Sequence, residues 1–358
     1  MTQNALQELH ALAGKMPNTL TENDKEILNE TYHEALEDLE NPESMFAYSI
    51  AKAMRKHFED EQSNEHIYLQ KFEIPQIRLF ELLIQQFPLA NLSQHCVNTL
   101  LADALAKHSN PVLMDIGIGT GMQVNNIIQQ LLRNPDCQIK TLTVVGIEPY
   151  GKALKATNQN ITSVSQKAIF SINLITKEAF IERLSFDEIC QLLPSKYDGL
   201  YVNASFALHH IQTVEDRKLV FENLKKLKVD AFVLSEPNSN HFEENYQKRF
   251  ENCVNHYGTL FKIIDTLEIT NQEKAALKLF FSREIDDVLG NAENVRVEKH
   301  YATEQWVNLF EETGFELKKP QAKFDYEALN GTILQTGLSN RYATEFKGEE
   351  ITSLFWAN

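Results

Sequence analysis

Residues 112–123, VLMDIGIGTGMQ, followed at residues 141–148 by TLTVVGIE, decide how this chain folds. The first stretch is a short apolar run cut off by Gly117, Gly119 and Gly121, which place three of the chain's 13 glycines within five positions. An apolar run of that length, stopped by glycines and followed by a helix-like pattern over residues 122–132, predicts a buried parallel strand turning directly into a helix. Glycine reaches backbone angles closed to other residues and removes the side chain where a ligand would touch the main chain. A helix starting there also directs unpaired N–H groups into the turn. The second stretch predicts a neighbouring strand ending in Glu148, whose carboxylate is able to accept both ribose hydroxyls of an adenosine-containing ligand. The spacing from Asp115 to Glu148 exceeds the ~20 residues of a compact dinucleotide unit, so a longer connection lies between them.

Working outward, the alternation continues. Strands are predicted at residues 169–175, 199–205 and 231–236, with helices after residue 152 and at 179–193 and 214–227. Strands separated by helices of this length require right-handed crossovers and a mostly parallel sheet covered on both faces. Upstream, residues 21–107 read as about four helices. Ile27, Leu28, Tyr32, Ala35, Leu36 and Leu39 recur at helical steps behind a Thr21 to Asp24 cap, and Asn41-Pro42 ends the run. Further helices are predicted at 45–58, 75–87 and 93–107. Residues 238–300 read as a long helical insertion, and the remainder as a helix at 304–313 with strands at 315–323 and 351–356. The predicted division is a helical cap at 1–110, a cofactor-binding core at 111–237, a helical cap insertion at 238–300, and a completion of the core sheet at 301–358.

Bulk properties narrow the function classes. At 358 residues the chain exceeds the ~250–300 at which one core stops growing, which predicts a main domain with an appended part. Its 43% apolar and 23% charged residues match ordinary globular proteins and argue against long disorder. A net charge of -16 repels phosphate backbones, which argues against direct nucleic-acid binding. Cys96, Cys137, Cys190 and Cys253 form no C-x-x-C pair, so neither a metal site nor a disulfide framework is expected. No run approaches the ~20 apolar residues of a membrane span, and residues 1–15 lack a signal peptide's pattern, so a soluble cytoplasmic protein is expected.

An acidic residue before G-x-G-x-G resembles motif I of S-adenosylmethionine-dependent methyltransferases, in which Asp115 would help hold the methionine amino group. LYVNASFALHHI, residues 200–211, resembles the strand of those enzymes whose end borders the sulfonium. This resemblance implies a Rossmann-like methyltransferase sheet of about seven strands and S-adenosylmethionine as cofactor, held by Asp115, Gly117, Gly119, Gly121, Gln123, Glu148, Asn203 and Ala204. His209 and Glu236 are the candidate catalytic groups. Adjacent His209 and His210 cannot both face one pocket, and desolvation would suit Glu236 to general-base work. Phe206, Asn238, His241 and Arg283 are the candidates for holding a small-molecule methyl acceptor; Tyr246, Arg249 and Tyr257 are also candidates for that cavity. For the aromatic residues the competing reading is plain core packing, and for Arg283 an ion pair with the adjacent Glu284.

The downstream order also resembles the GRAS family. VLMDIGIGTGMQ is similar to its VHIID motif through Asp115, Ile118, Gly121 and Gln123. Residues 235–268, FFSREI at 280–285, residues 294–315 with Arg296, Glu298, Trp306, Gly314 and Phe315, and LFWAN at 354–358 follow that family's sequence of landmarks. The resemblance implies N-terminal helices and a post-strand insertion forming a helical cap. It further implies that plant members are transcriptional regulators acting through protein partners, whereas bacterial members look like small-molecule methyltransferases. Gly117, a glycine that plant members commonly replace, favours the bacterial type and a methyltransferase; a homodimer is compatible with that reading. The alternative is a non-catalytic GRAS-like regulatory protein binding partners or a small ligand.

Overall fold

The computed structural model describes residues 2–58 and 73–358, so the part of the helical leader at residues 59–72 lies outside the described residues. Contacts divide the chain into two compact units. One comprises Met1–Asn91, Asn238–Tyr301 and Asn330–Thr332, the other Leu92–Pro237, Ala302–Leu329 and Ile333–Asn358.

The second unit is built on a mixed sheet of ten strands: β1 Pro111–Ile116, β2 Thr141–Glu148, β3 Ser171–Glu178, β4 Gly199–Ser205, β5 Ala231–Pro237, β6 Leu317–Lys318, β7 Ala328–Leu329, β8 Thr332–Gln335, β9 Tyr342–Phe346 and β10 Glu349–Ala357. Their spatial order is β3-β2-β1-β4-β5-β10-β9-β8-β7, with β6 pairing β10 off that path. The first five are mutually parallel, and β10 then runs antiparallel to β5. The expectation of a largely parallel α/β sheet is met over β1 to β5; the expectation of about seven strands is corrected to ten. The added strands are short and arise from two tight turns, Asn330-Gly331 and Lys347-Gly348, in which both residues adopt positive φ. That is the geometry whose twist matches two antiparallel strands.

β1, β2, β4 and β5 are almost wholly buried, as strands covered on both faces must be. Helix Met122–Arg133 turns Val124, Ile127, Ile128 and Leu131 into the core, and helix Gly151–Ser165 adds Leu154, Ile161 and Val164. Between β3 and β4, where one long helix was expected, the chain instead makes a single 3₁₀ turn, Ile181–Arg183, and a short helix, Phe186–Gln191, under a Ser185/Glu188 capping box.

The first unit is helical. Thr21 caps Glu22–Glu37 reciprocally with Asp24, as the sequence indicates. Asn41 then caps Pro42–Arg55 with Pro42 at its first turn, so Asn41-Pro42 opens a helix as well as closing the previous one. An earlier helix, Thr2–Ala13, was not anticipated; it buries Leu9, Leu12 and Ala13. Tyr246–Thr266 and Asn271–Gly290 supply the two long helices of the insertion, and Phe46 meets Phe261 edge-on at 5.0 Å. Among the described residues no helix is long and apolar enough to cross a membrane.

Candidate functional site

Open parallel sheets place ligand-binding loops beyond the carboxyl ends of their strands. At the end of β1 the chain bends through Gly117 (φ 76°), Gly119 (φ 55°) and Gly121 (φ 74°). The three glycines have different reasons to be glycine. A Cβ on Gly117 would lie 2.6 Å from the Ala207 Cβ, and one on Gly121 would lie 3.0 Å from the Thr157 side chain. A Cβ on Gly119 would meet nothing nearer than 3.9 Å. Close packing therefore explains Gly117 and Gly121, and only Gly119 has open space beside it.

The bend is tied down by its neighbours. The Gly119 N–H donates to Glu148 Oε2 at 3.1 Å, and the other oxygen of Glu148 accepts from the Tyr150 N–H at 3.2 Å. Thr157 Oγ1 donates to the Gly119 carbonyl at 2.6 Å and Asn160 Nδ2 to that of Thr120 at 2.8 Å. Glu148 sits where the sequence placed it, at the tip of β2, and its carboxylate holds two backbone amides of this chain.

Asp115 and Asn203 are register partners on β1 and β4, and Asn203 Nδ2 donates to Asp115 Oδ1 at 2.7 Å. Asn203 Nδ2 also reaches Gln123 Oε1 at 3.4 Å, Gln123 Nε2 donates to Ser205 Oγ at 3.2 Å, and Ser205 Oγ donates to Asn203 Oδ1 at 3.1 Å. The structure thus brings Asp115, Gln123 and Asn203 together, and they bond to one another and to Ser205. Burial pushes the Asp115 carboxyl up to about 7, the nearby Glu148 adding to the rise while the Asn203 hydrogen bond opposes it. Ala204 is buried in β4 between Ile116 and Leu234.

Glu236, the candidate base, is fully buried and spent. Its Oε1 accepts from the Ala207 and Leu208 N–H groups at 3.0 and 2.7 Å, and its Oε2 lies 2.6 Å from His209 Nδ1. It shapes the turn after β4, where Phe206 takes a left-handed φ of 54° and donates its N–H to the Ser235 carbonyl. As expected for adjacent residues, His209 is buried and His210 exposed.

The remaining acceptor candidates lie in the helical unit. Asn238 is half-buried where the chain leaves β5. His241 is fully buried, stacked on Tyr257 at 5.5 Å. Tyr246 donates its hydroxyl to the Leu289 carbonyl, and Arg249 binds the carbonyls of Glu243, Glu244 and Val288. Arg283 is exposed, while Glu284 accepts the Tyr257 hydroxyl at 3.0 Å. Tyr246, Arg249 and Tyr257 therefore hold the helical unit's own backbone and side chains.

Sequence reasoning missed two residues at the sheet's carboxyl ends. Glu148 and Glu178 are register partners, and two residues beyond each stand Tyr150 and Phe180, 68% and 51% exposed. Large exposed aromatics at adjacent strand ends were legible only once β3 was known to end at Glu178 rather than near residue 175.

A model described as the GRAS domain family matches residues 5–358. The DELLA protein GAIP-B of Cucurbita maxima is 24% identical over 236 residues, covering 64% of this chain and 40% of that protein. Scarecrow-like protein 18 of Arabidopsis thaliana is 24% identical over 247 residues, covering 65% of this chain and 55% of that protein. The chain thus spans about half or less of the length of these relatives. The crystal structure of SCL7 from Oryza sativa aligns over 99% of both chains with a TM-score of 0.78 at 16% identity, which shows a shared fold.

These findings overturn the expectation of a methyltransferase. The relatives carry DELLA and Scarecrow-like names, and SCL7 is a structural likeness over 99% of both chains, so the transferase activity and the small-molecule methyl acceptor are both set aside. With them go the catalytic roles of His209 and Glu236: the Glu236 carboxylate is bound on both oxygens by its own chain, and His209 is buried with its Nδ1 against that carboxylate.

Proposed function

The chain belongs to the GRAS domain family, and from that premise we propose that it is a non-catalytic regulatory protein that works by binding partners, with the bend at Gly119 as a seat for a small ligand. The observation that carries this reading is the engagement of Glu236. A general base must reach a substrate proton, and a buried carboxylate holding two amides and an imidazole reaches none. The DELLA and Scarecrow-like relatives come from plants, the branch for which the family resemblance implies regulation through protein partners.

S-adenosylmethionine stands as a ligand proposal, and the residues fit it unevenly. Gly119 with open space beside it, Glu148, and the exposed rings of Tyr150 and Phe180 suit the nucleoside portion of such a ligand. Asp115 suits the methionine ammonium less well, because burial favours its neutral form and Asn203 already occupies one oxygen. The finer reading of the sheet as the Rossmann-like methyltransferase kind is supported by the order β3-β2-β1-β4-β5 and the antiparallel β10. Kinship with the bacterial type rests on Gly117, for which packing against Ala207 is a sufficient cause. The exposed large apolar side chains offer partner contacts and, among the described residues, include none from the leader helices; Met122, Tyr150, Phe180 and Val214 follow β1 to β4 instead.

Isothermal titration with S-adenosylmethionine, S-adenosylhomocysteine and adenosine, paired with a methyl-release assay in cell extract, tests the reading. Binding without release supports a ligand-holding regulator. Absence of binding removes the small ligand and leaves the partner role. Methyl release overturns the proposal.

A further inference from the structure

Four side chains of the helical unit form one line. Ser239 Oγ lies 2.9 Å from His241 Nε2, His241 Nδ1 lies 2.7 Å from His300 Nδ1, and His300 Nε2 lies 3.5 Å from a Glu298 carboxylate oxygen. Ser239, His241 and His300 are buried. The backbone reinforces the line: the N–H groups of His241 and Phe242 donate to the His300 carbonyl at 3.0 and 3.2 Å, and the Arg296 guanidinium donates to the His241 carbonyl at 2.7 Å. Residues 239–242 are thereby fastened to residues 296–300. These are the stretches by which the chain enters this unit after β5 and leaves it at Tyr301.

A hydrogen bond between two ring nitrogens requires one to carry a proton and the other to lack it. A carboxylate only accepts, so a proton on His300 Nε2 is the arrangement that suits the Glu298 contact. Neutral His300 then accepts at Nδ1 from His241, whose Nε2 accepts from the Ser239 hydroxyl. One added proton fits: His300 faces Glu298, its Nδ1–H donates to His241, and the His241 Nε2–H turns to the Ser239 oxygen. A second proton, on His241, sets two N–H groups against each other across 2.7 Å.

The groups facing the ring resist that second proton. Arg249 and His256 come from helix Tyr246–Thr266, and Arg296 from the stretch before His300. Tyr257 stacks on the ring, and its hydroxyl bonds Glu284 of helix Asn271–Gly290. Glu293 pairs with Arg296, and Glu298 faces His300. Burial first, then His256 and Arg296, hold the His241 ring well below the usual histidine range.

We propose that the Ser239–His241–His300–Glu298 line is an acid-released latch on residues 239–242, closed while at least one ring of the pair is neutral and open once both are protonated. Because the folded ring binds its proton less readily than a free one, the latch holds fully above about pH 6.5 and weakens as pH falls below it.

Amide hydrogen exchange of the full chain between pH 8 and pH 5, corrected for intrinsic rate, tests this at the His241 and Phe242 amides with those of β1 as reference. Protection of the two amides falls about tenfold per pH unit where opening takes up one proton, while β1 holds steady. Protection independent of pH, or β1 falling in step, overturns the latch. His241→Phe keeps the stack on Tyr257 and cannot be protonated, so its profile is flat; a retained pH dependence overturns the assignment. Should that variant fail to fold, ring ¹⁵N shifts of the unaltered protein decide the matter. Both rings charged with the amides still protected would refute the latch, and one ring neutral throughout the protected range upholds it.

Discussion

Glu148 and Gly119 are joined by a hydrogen bond in which the loop amide donates to the carboxylate, so the acid at the tip of β2 shapes the bend beside it. An acid expected to grip a ligand is first of all a structural bond. Hydrogen bonds to a charged group contribute about 1.5–3 kcal/mol each. Glu148→Ala releases both the Gly119 and Tyr150 amides, and we expect a loss of about 2–4 kcal/mol in denaturant unfolding. A loss under 0.5 kcal/mol would mean water replaces the carboxylate without cost. Ligand-binding data on this variant are interpretable only beside that measurement.

Glu236 offers a harsher case, because it is buried and its three partners are two backbone amides and a histidine. Leaving three buried polar groups without their partner costs on the order of 3–5 kcal/mol. Glu236→Ala is expected to fall in that range by urea denaturation, with the turn from Phe206 to His209 losing hydrogen-exchange protection before the rest of the sheet. A variant of unchanged stability would return Glu236 to the list of groups available for chemistry.

Asp115 carries the pH prediction. Its folded pKa, raised to about 7, lies above the free value of 3.8, so the folded state binds more protons between those limits. Stability from this group is present at low pH and lost as pH rises toward 7, by at most about 4 kcal/mol. Asp115→Asn should therefore gain stability over the parent at pH 8 and lose the advantage at pH 4.5, as read by thermal unfolding at both values. A parent-to-variant difference that does not move with pH would show that Asp115 is ionised throughout.

Gly117 separates packing from ligand binding. Gly117→Ala combines a left-handed φ with a Cβ 2.6 Å from Ala207, for an expected loss of about 2–4 kcal/mol. Adding Ala207→Gly removes the clash but keeps the φ penalty, so it should restore about half. No rescue would show that the conformational penalty alone governs the site.

The alternation of strands and helices from β1 to β5 was legible because buried parallel strands are apolar runs with glycine or charged ends. The hydrogen bond joining Asp115 to Asn203 was not, although the resemblance had put both in one site. Asn203 lies 88 residues away and meets Asp115 only through cross-strand register, which a sequence does not display. His241 was singled out while His300, bonded to it from an irregular stretch 59 residues away, passed unnoticed. The C-terminal strands are a different failure. Asn330-Gly331 is a strong hairpin signal, and Lys347-Gly348 places glycine at a position needing positive φ. Both were hidden by flanking stretches too short and polar to show alternation, such as β7 with its two residues.

The ends of the ten-stranded sheet are unequal, and so is their exposure to misassembly. At one end β7 offers two residues, too few to template a foreign strand. At the other, β3 presents eight residues whose outer backbone groups face no further strand among the described residues. Lys177 is the one basic charge on that rim. Fibril growth or swapped pairing in a partly unfolded population would begin there, and a proline at an outward-facing amide of β3 would be the change that blocks it.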